Sequence, residues 1–477
     1  MAKVIVDPIT RIEGHLKIEC EVDGGKVTDA RSTGTLFRGL ELILQGHDPR
    51  DAQEYVQRIC SVCPIAHATA ATYALDDAFG LKDKIPDNGR IVRNIIQGAN
   101  YLQSHILHFY HLAALDYVKA PAGVDPLLPQ YQGDYRLPDA INAAAVNHYL
   151  QALDMRKKAH QLLAIWGGRA PGQRAIVPGG ATANVDVEKV VQSKYLLQDL
   201  ISFIDNVYVA DVKAVAGVYS DWLDIGRGCK NLLSYGVFPQ DNNGTRLYPA
   251  GVYINGQDGS FDASKITEDV KHSWYVDGSG GSKLPTESVI TPDPTKTAGY
   301  SWLKAPRYDG NVLEVGPLAK LWIAQQPDVR GLGDKAFSVM GRHFARALDA
   351  SKVAHSLMEW LLQLKPGEPT CAPHEVPKEA HGMGLTDAER GALGHWVKIE
   401  NYKIAKYNAV VPTTWNAGPR DDSDQPGPIE QALIGTPVKD PNNPIELVRV
   451  VRSFDPCIAC AVHVITPDRK VREFRVY

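Results

Sequence analysis

Apolar residues recur every three or four positions along much of the chain, which is the spacing of amphipathic α-helices. Residues 90–117, 139–166 and 187–222 show this pattern over long stretches, and it returns in 314–326 and 333–364. The apolar positions of the first stretch are Ile91, Ile95, Ile96, Ala99, Leu102, Ile106 and Phe109. The pattern predicts about four long helices, the number that a bundle core needs.

Strand-like alternation of apolar and polar residues occurs near each end of the chain, and a middle region with short apolar runs also predicts β structure. Residues 16–22 alternate and precede Asp23-Gly24-Gly25, which predicts a β-hairpin. Residues 226–310 are rich in Gly, Asp, Asn and Tyr and predict an irregular β-rich insertion. Alternation returns over 390–416, and a last helix is predicted at 429–433. The predicted fold class is α+β, mainly α: a central bundle of long helices, small peripheral β regions and the insertion.

Composition narrows the functional classes. The chain has 477 residues, a net charge of −4 and 22% charged residues, so it lacks the basic excess of a nucleic-acid-binding surface. We therefore expect no nucleic-acid partner. No apolar run reaches the roughly 18–20 residues of a membrane span, and we expect no transmembrane segment of its own. The amino terminus has neither an apolar signal core nor a twin-arginine motif, so export would depend on another chain.

Two C-x-x-C pairs lie almost at opposite ends of the chain. Cys60 and Cys63 form the first pair, and Cys457 and Cys460 form the second. Four thiolates are soft ligands that suit zinc, iron, nickel or copper(I). A structural zinc is one interpretation. Because a chain of this length does not need zinc to fold, a reactive redox metal is the favoured one.

The other three cysteines are scattered. Cys20, Cys229 and Cys371 have no partner at metal-ligand spacing, and the odd total of seven argues against a disulfide framework. They are most simply buried small hydrophobic residues. Three scattered cysteines also cannot hold an iron–sulfur cluster.

Several sequence blocks resemble the large subunit of nickel–iron hydrogenases. The two cysteine motifs are Arg-x-Cys-x-x-Cys-x-x-x-His, ending at His67, and Asp-Pro-Cys-x-x-Cys-x-x-His, ending at His463. Further matching blocks are residues 11–15 (RIEGH), 37–41 (FRGLE), 105–112 (HILHFYHL), 390–393 (RGAL) and 412–416 (PTTWN). They follow the family order from residue 7 to residue 463. The blocks near His105 and Phe238 are similar to the periplasmic subgroup that includes nickel–iron–selenium enzymes.

The resemblance implies the four cysteines as ligands of a Ni-Fe centre. Cys60 and Cys457 would bind nickel terminally, while Cys63 and Cys460 would bridge nickel and iron. The iron would carry CO and two cyanides. Such ligands need an apolar pocket with a few hydrogen-bond donors.

The pocket and a magnesium site are implied in the same way. Arg390, Pro412 and Thr413 match the family positions that surround the diatomic ligands. Glu41 and His463, with the backbone carbonyl of Ala409, match the protein ligands of a possible Mg2+. This sparse set is reasonable because magnesium keeps several of its waters.

The same resemblance implies reversible heterolytic cleavage of the substrate, H2. The Cys457 thiolate would be the first proton acceptor, and Glu13 would receive the proton from it. Burial can raise the pKa of such a carboxyl toward working pH. Arg390 would place a positive charge over the open metal position, and Asp455 would orient it. His67 would donate a hydrogen bond to a bridging sulfur.

Partners and location follow from the resemblance too. Electrons would pass to an iron–sulfur small subunit in a heterodimer, and the two would be exported together to the periplasm or the periplasmic side of the membrane. The cytoplasm is the alternative location. An H2-sensing subunit with slow turnover is the alternative function.

Residues 1–463 are expected to form a single large-subunit domain. Residues 464–477 extend past the usual mature end of the family, so a maturation protease is expected to remove them after nickel-insertion proteins have acted. The alternative is a C-terminal strand, because 470–476 alternates.

Three positions depart from the family pattern. Ser61 stands where glycine is usual, and Ser104 stands where many relatives have aspartate. Glu389 stands where proline is common, directly before Arg390. Its carboxylate would either pair with that guanidinium or point outward.

Overall fold

The computed structural model describes residues 2–120, 133–281 and 283–461, with the backbone alone for Cys460 and Ala461. Its α-helices are α1 (Leu40–Ile43), α2 (Ala52–Val56), α3 (Pro64–Ala78), α4 (Asp87–Leu107), α5 (Asp139–Gly167), α6 (Val187–Phe203), α7 (Val209–Val218), α8 (Pro317–Ile323), α9 (Pro327–Arg330), α10 (Val339–Gln363), α11 (Pro412–Ala417), α12 (Pro428–Leu433), α13 (Ile445–Ser453) and α14 (Ile458–Ala461).

The strands are β1 (Ala2–Val6), β2 (Leu16–Asp23), β3 (Lys26–Gly34), β4 (Ile176–Val177), β5 (Gly180–Ala181), β6 (Leu232–Ser234), β7 (Val237–Pro239), β8 (Arg246–Tyr248), β9 (Gly251–Ile254), β10 (Gln257–Gly259), β11 (Ile266–Asp269), β12 (Ala305–Tyr308), β13 (Glu379–Ala388), β14 (Gly391–Glu400) and β15 (Lys403–Val410). The mainly helical α+β fold class is confirmed, with 43% helix, 20% strand and small separate sheets.

Four long helices form the bundle. Helix α4 packs against α5 and α10, and α6 packs against the same two helices. Helix α4 is buried from Asn88 to Ile106, so it lies at the centre. Its buried residues include polar ones, because an all-buried helix has no solvent-facing side on which to place them. Those polar side chains must find partners inside the protein.

Two antiparallel sheets carry residues of the candidate site. Strands β1, β2 and β3 form the amino-terminal sheet, and the predicted turn at Asp23-Gly24-Gly25 joins β2 to β3. Strands β13, β14 and β15 form the second sheet, in register from Ala388 opposite Gly391. Between residues 232 and 308 the strands are three or four residues long and form separate small sheets.

Some boundaries differ from the sequence pattern. The stretch 187–222 is broken by a π-helical turn at Ile204–Tyr208, and α4 runs into another at His108–Ala113. The expected strand over 410–416 ends at Val410, because Pro412 starts α11 as its first helical residue. Helix α13 lies beyond the predicted last helix and was not predicted, although its apolar residues follow a helical period. No helix in the described ranges is long and apolar enough to cross a membrane.

Helix α3 lies directly on strand β13. A Cβ atom on Gly384 would lie 2.0 Å from the carbonyl oxygen of Ala70, and one on Gly382 would lie 2.0 Å from that of Ala74. Only glycine allows this approach of two backbones. The contact fixes the start of α3, and with it Cys63, relative to the β13–β14 turn that carries Arg390.

We predict that Gly384→Ala lowers the free energy of unfolding by about 1–3 kcal/mol, because helix and strand must move apart. The matched control is Gly217→Ala in α7, where an added Cβ meets nothing within 4 Å. It should be stabilising by about 0.5–1 kcal/mol through the lower entropy of the unfolded chain. Thermal unfolding of both purified variants measures this, and an unchanged midpoint for Gly384→Ala would contradict it.

Candidate metal centre

The first cysteine pair lies in the loop between α2 and α3. Pro64 is the first residue of α3, and Cys63 is its N-cap, so the helix begins where the pair ends. The backbone N–H groups of Val62 and Cys63 donate to Cys60 Sγ, at 3.2 and 3.4 Å. Both thiols are buried. Backbone donors aimed at a sulfur favour its thiolate form.

The second cysteine segment is held by two other parts of the chain. The backbone N–H of Cys457 donates to Thr413 Oγ1 at 3.0 Å. The N–H of Ile458 donates to the carbonyl oxygen of Glu13 at 2.8 Å, within an isolated parallel β-bridge. Asp455 has φ of 56°, a left-handed conformation that turns the chain into this position. The segment therefore depends on both α11 and the amino-terminal region.

Three thiols meet at this point. Cys60 Sγ lies 3.1 Å from Cys457 Sγ, and Cys63 Sγ lies 3.9 Å from Cys457 Sγ. The three sulfurs lie within 4.8 Å of one another and all three residues are buried. This donor set, gathered away from water, fits a thiophilic metal. The thiol of Cys460 and the whole of His463 lie outside the described residues.

Glu13 reaches the same cluster. Its Oε2 accepts a hydrogen bond from Ala459 N at 2.8 Å and from Cys457 Sγ at 3.3 Å. Burial, and the nearby Cys60 thiol, raise the pKa of Glu13 to about 6. Gly14 makes the approach possible, because a Cβ there would lie 2.8 Å from Ala459 N and its φ is +80°.

Arg390 is buried between the β13–β14 turn and the second cysteine segment. Its Nε donates to the carbonyl oxygen of Asp455 at 2.9 Å, and its Nη2 lies 3.0 Å from Asp455 Oδ2. Its Nη1 has no hydrogen-bond partner among the described residues. Burial alone would lower the Arg390 pKa, but Asp455 and the three clustered thiols raise it well above its ordinary value. The guanidinium thus stays charged beside the sulfurs.

The other residues to which the family resemblance gives a role lie in two separate places. His67 lies in α3, and its Nδ1 is 3.2 Å from Nε2 of His395, whose Nδ1 is 2.7 Å from the hydroxyl of Tyr407. Glu41 and Ala409 line one small cavity of about 30 Å³, together with Lys304. Burial raises the pKa of Glu41 to about 7. The roles toward a bridging sulfur and toward Mg2+ stay predictions.

Arg38 makes a contact at the site that was not predicted from the sequence. Its Nη2 donates both to the carbonyl oxygen of Ile59, next to Cys60, and to that of Ala459, the latter at 2.6 Å. One guanidinium therefore joins the two cysteine segments. The only signal in the sequence was its place in a matching block without an assigned role.

The three residues that depart from the family pattern lie in different surroundings. Ser61 is exposed. Ser104 is buried, and its hydroxyl has no hydrogen-bond partner among the described residues. Glu389 is fully buried, so an outward orientation is wrong. Its Oε1 accepts a hydrogen bond from Asn100 Nδ2 and forms no ion pair with Arg390.

A sequence profile of nickel-dependent hydrogenases matches residues 38–126 and 123–463, and a second profile, described as HoxL-like, matches residues 3–33. The chain belongs to the nickel-dependent hydrogenase family. The resemblance in the sequence motifs is thereby confirmed.

Known hydrogenases are similar to this chain over nearly its full length. The periplasmic [NiFeSe] hydrogenase large subunit of Desulfomicrobium baculatum is 46% identical, covering 97% of this chain and 95% of that protein. The hydrogenase-2 large chain of Escherichia coli K12 is 34% identical, covering 98% of each. The solved Ni-Fe-Se hydrogenase of D. vulgaris Hildenborough in the as-isolated oxidized state has a TM-score of 0.94 and 45% identity, covering 97% of this chain and 100% of that one.

Proposed function

We propose that this chain is the catalytic large subunit of a nickel–iron hydrogenase, which reversibly converts H2 to two protons and two electrons. The observation that carries the proposal is the cluster of three buried thiols drawn from both ends of the chain. A structural zinc would need no charged arginine or buried carboxyl beside it. Here Arg390 and Glu13 both adjoin the cluster.

The thiols would hold a Ni-Fe centre whose iron carries CO and two cyanides. Cys60 and Cys457 would be terminal nickel ligands, and Cys63 would bridge the metals together with Cys460. When bound, the centre supplies the metals at which H2 is split heterolytically and its electrons are taken up. Arg390, Pro412 and Thr413 would surround the diatomic ligands, and all three are buried.

Proton movement is assigned to two side chains. The Cys457 sulfur would accept the proton released from H2, and Glu13 Oε2, 3.3 Å away, would take it next. A carboxyl whose pKa is raised by burial can both accept and release a proton near neutral pH. Arg390 would hold a fixed positive charge toward the reacting position, and Asp455 would keep the Arg390 guanidinium in place.

The site also has a proposed outer set of residues. His67 would donate to a bridging sulfur, and its contact with His395 would fix the ring orientation. Glu41 and the Ala409 carbonyl would bind Mg2+ with His463 after cleavage of the tail. Their shared cavity supports this assignment.

The partner would be an iron–sulfur small subunit in a heterodimer. In the part of the chain that the structure describes, the three clustered thiols are the one group of three or more His, Cys, Asp or Glu side chains close enough to hold a metal together. Electrons therefore need a second chain to leave. Names such as periplasmic and uptake hydrogenase among the relatives support co-export to the periplasm and do not support a sensing role.

Infrared spectroscopy of the purified protein tests the function most directly. We expect CO and cyanide stretching bands, together with nickel and iron at one atom each per chain. A zinc site has neither set of bands. Protein that contains zinc alone, without these bands, would overturn the proposal.

Glu13→Gln tests the proton route. We expect nickel content and infrared bands to persist, because glutamine can still accept from the Ala459 N–H. H2 oxidation should fall by about 10²-fold or more through loss of the proton acceptor. Glu21→Gln, an exposed carboxyl on β2, is the control and should keep full turnover. Equal turnover in both variants would remove Glu13 from the route.

We also propose that 1–463 is the mature single domain, and that nickel-insertion proteins and a protease act before 464–477 is lost. Intact-mass spectrometry of the active protein should show an end at His463. A fully active protein that keeps Tyr477 would show that removal is not required.

A further inference from the structure

We propose that Gln103, supported by Asn100 and Glu389, is a positioning residue that aims a backbone N–H at the sulfur of Cys60 and so adjusts how strongly that sulfur donates electrons to its metal. This inference deepens the proposed function, on which it rests. It uses a row of buried polar side chains on α4 that the catalytic assignments leave unexplained.

The first step is the contact between Gln103 and the cysteine loop. Gln103 Nε2 donates to the carbonyl oxygen of Val62 at 3.1 Å. That carbonyl belongs to the peptide group whose N–H, on Cys63, donates to Cys60 Sγ at 3.4 Å. A peptide group is planar, so a hydrogen bond that holds its oxygen also directs its N–H. Gln103 therefore acts on Cys60 through one rigid peptide.

The second step is the support of Gln103 itself. Its Nε2 also lies 3.4 Å from Asn100 Oδ1, and Asn100 Nδ2 donates to Glu389 Oε1. The three side chains are 2% exposed or less. A continuous hydrogen-bonded chain thus leads from the β13–β14 turn, next to Arg390, to the first cysteine loop. Water cannot substitute for these partners easily in a site buried this deeply.

The third step is the effect on the sulfur. A hydrogen bond to a metal-bound thiolate withdraws electron density from it, and such bonds are among the factors that set the potentials of metal–sulfur centres. Without Gln103 the Val62–Cys63 peptide loses the hydrogen bond that holds its carbonyl oxygen, and the N–H contact to Cys60 lengthens. Cys60 then donates more strongly, so the CO band moves to lower frequency and the midpoint potential becomes more negative.

Glu389 is the last acceptor in this series of hydrogen bonds. Its Oε2 has no hydrogen-bond partner among the described residues. Burial raises the pKa of Glu389 to about 7, which favours its neutral form in mildly acidic solution. Glutamine has the same shape as this neutral form and still accepts from Asn100, whereas leucine does not.

The first test is Gln103→Leu, with Gln97→Leu as its matched control. Gln97 lies on the same helix, is equally buried and donates to the carbonyl oxygen of Asp387 at 3.1 Å, away from the cysteine loop. The measurements are the infrared CO frequency and the midpoint potential from an infrared-monitored redox titration at pH 6. We expect both to shift downward in Gln103→Leu and to keep wild-type values in Gln97→Leu. Equal values in both variants would overturn the proposal.

Gln103→Met, which keeps the side-chain length, is the alternative if Gln103→Leu fails to accumulate folded protein. Glu389→Gln and Glu389→Leu form the second test. Glu389→Leu should shift the CO band in the same direction as Gln103→Leu by a smaller amount, and Glu389→Gln should not shift it. A full shift in Glu389→Gln would show that charge, rather than the hydrogen-bonded chain, acts on the site.

The wild-type spectrum separates this inference from the function on which it rests. If wild-type protein has no CO or cyanide bands, the hydrogenase assignment fails. If the wild-type bands are present and the Gln103 variants leave them in place, the hydrogenase assignment stands and the positioning role of Gln103 is wrong.

Discussion

The hydrogen bond from Ile458 N–H to the carbonyl oxygen of Glu13 is the contact on which the site depends most directly. It joins segments that lie more than four hundred residues apart in sequence and places the Glu13 carboxyl against the Cys457 sulfur. Gly14 permits the contact, because any larger residue would meet the backbone of Ala459. A local backbone requirement near the amino terminus therefore determines the geometry of a thiol near the other end.

The large core around this contact gives it rigidity. Helix α3 begins at Pro64 and rests on β13 through Gly382 and Gly384, so Cys63 and Arg390 are placed by one helix–strand contact. Arg390 is charged and buried, and its guanidinium forms an ion pair with Asp455. Removing either partner of such a pair leaves an uncompensated buried charge, which is why these positions tolerate little change.

Much of the fold and of the donor set could be predicted from the sequence. Helical periodicity predicted the bundle, and the two C-x-x-C pairs predicted a thiolate site, because such patterns are local. The turn that carries Arg390 was not predicted, because it arises from the pairing of β13 with β14, which no local pattern displays. Helix α13 was not predicted either, although its apolar residues follow a helical period. Gln103 and Arg38 could not be assigned, because their roles arise from carbonyl groups of distant segments that no sequence pattern displays.

Arg38 links the docking of the carboxyl-terminal segment to the first cysteine loop. Its Nη2 contacts the carbonyl oxygens of Ile59 and Ala459 together, so the second contact forms only when the carboxyl-terminal segment has docked. Before docking, the half-buried guanidinium contacts, among the described residues, only the carbonyl oxygens of Arg58 and Ile59 in the first cysteine loop. Docking of the last segment thus adds a restraint on the first cysteine loop through the Arg38 guanidinium. A chain shortened before Ala459 would carry a loosened loop at Cys60, although none of the residues of that loop had been changed.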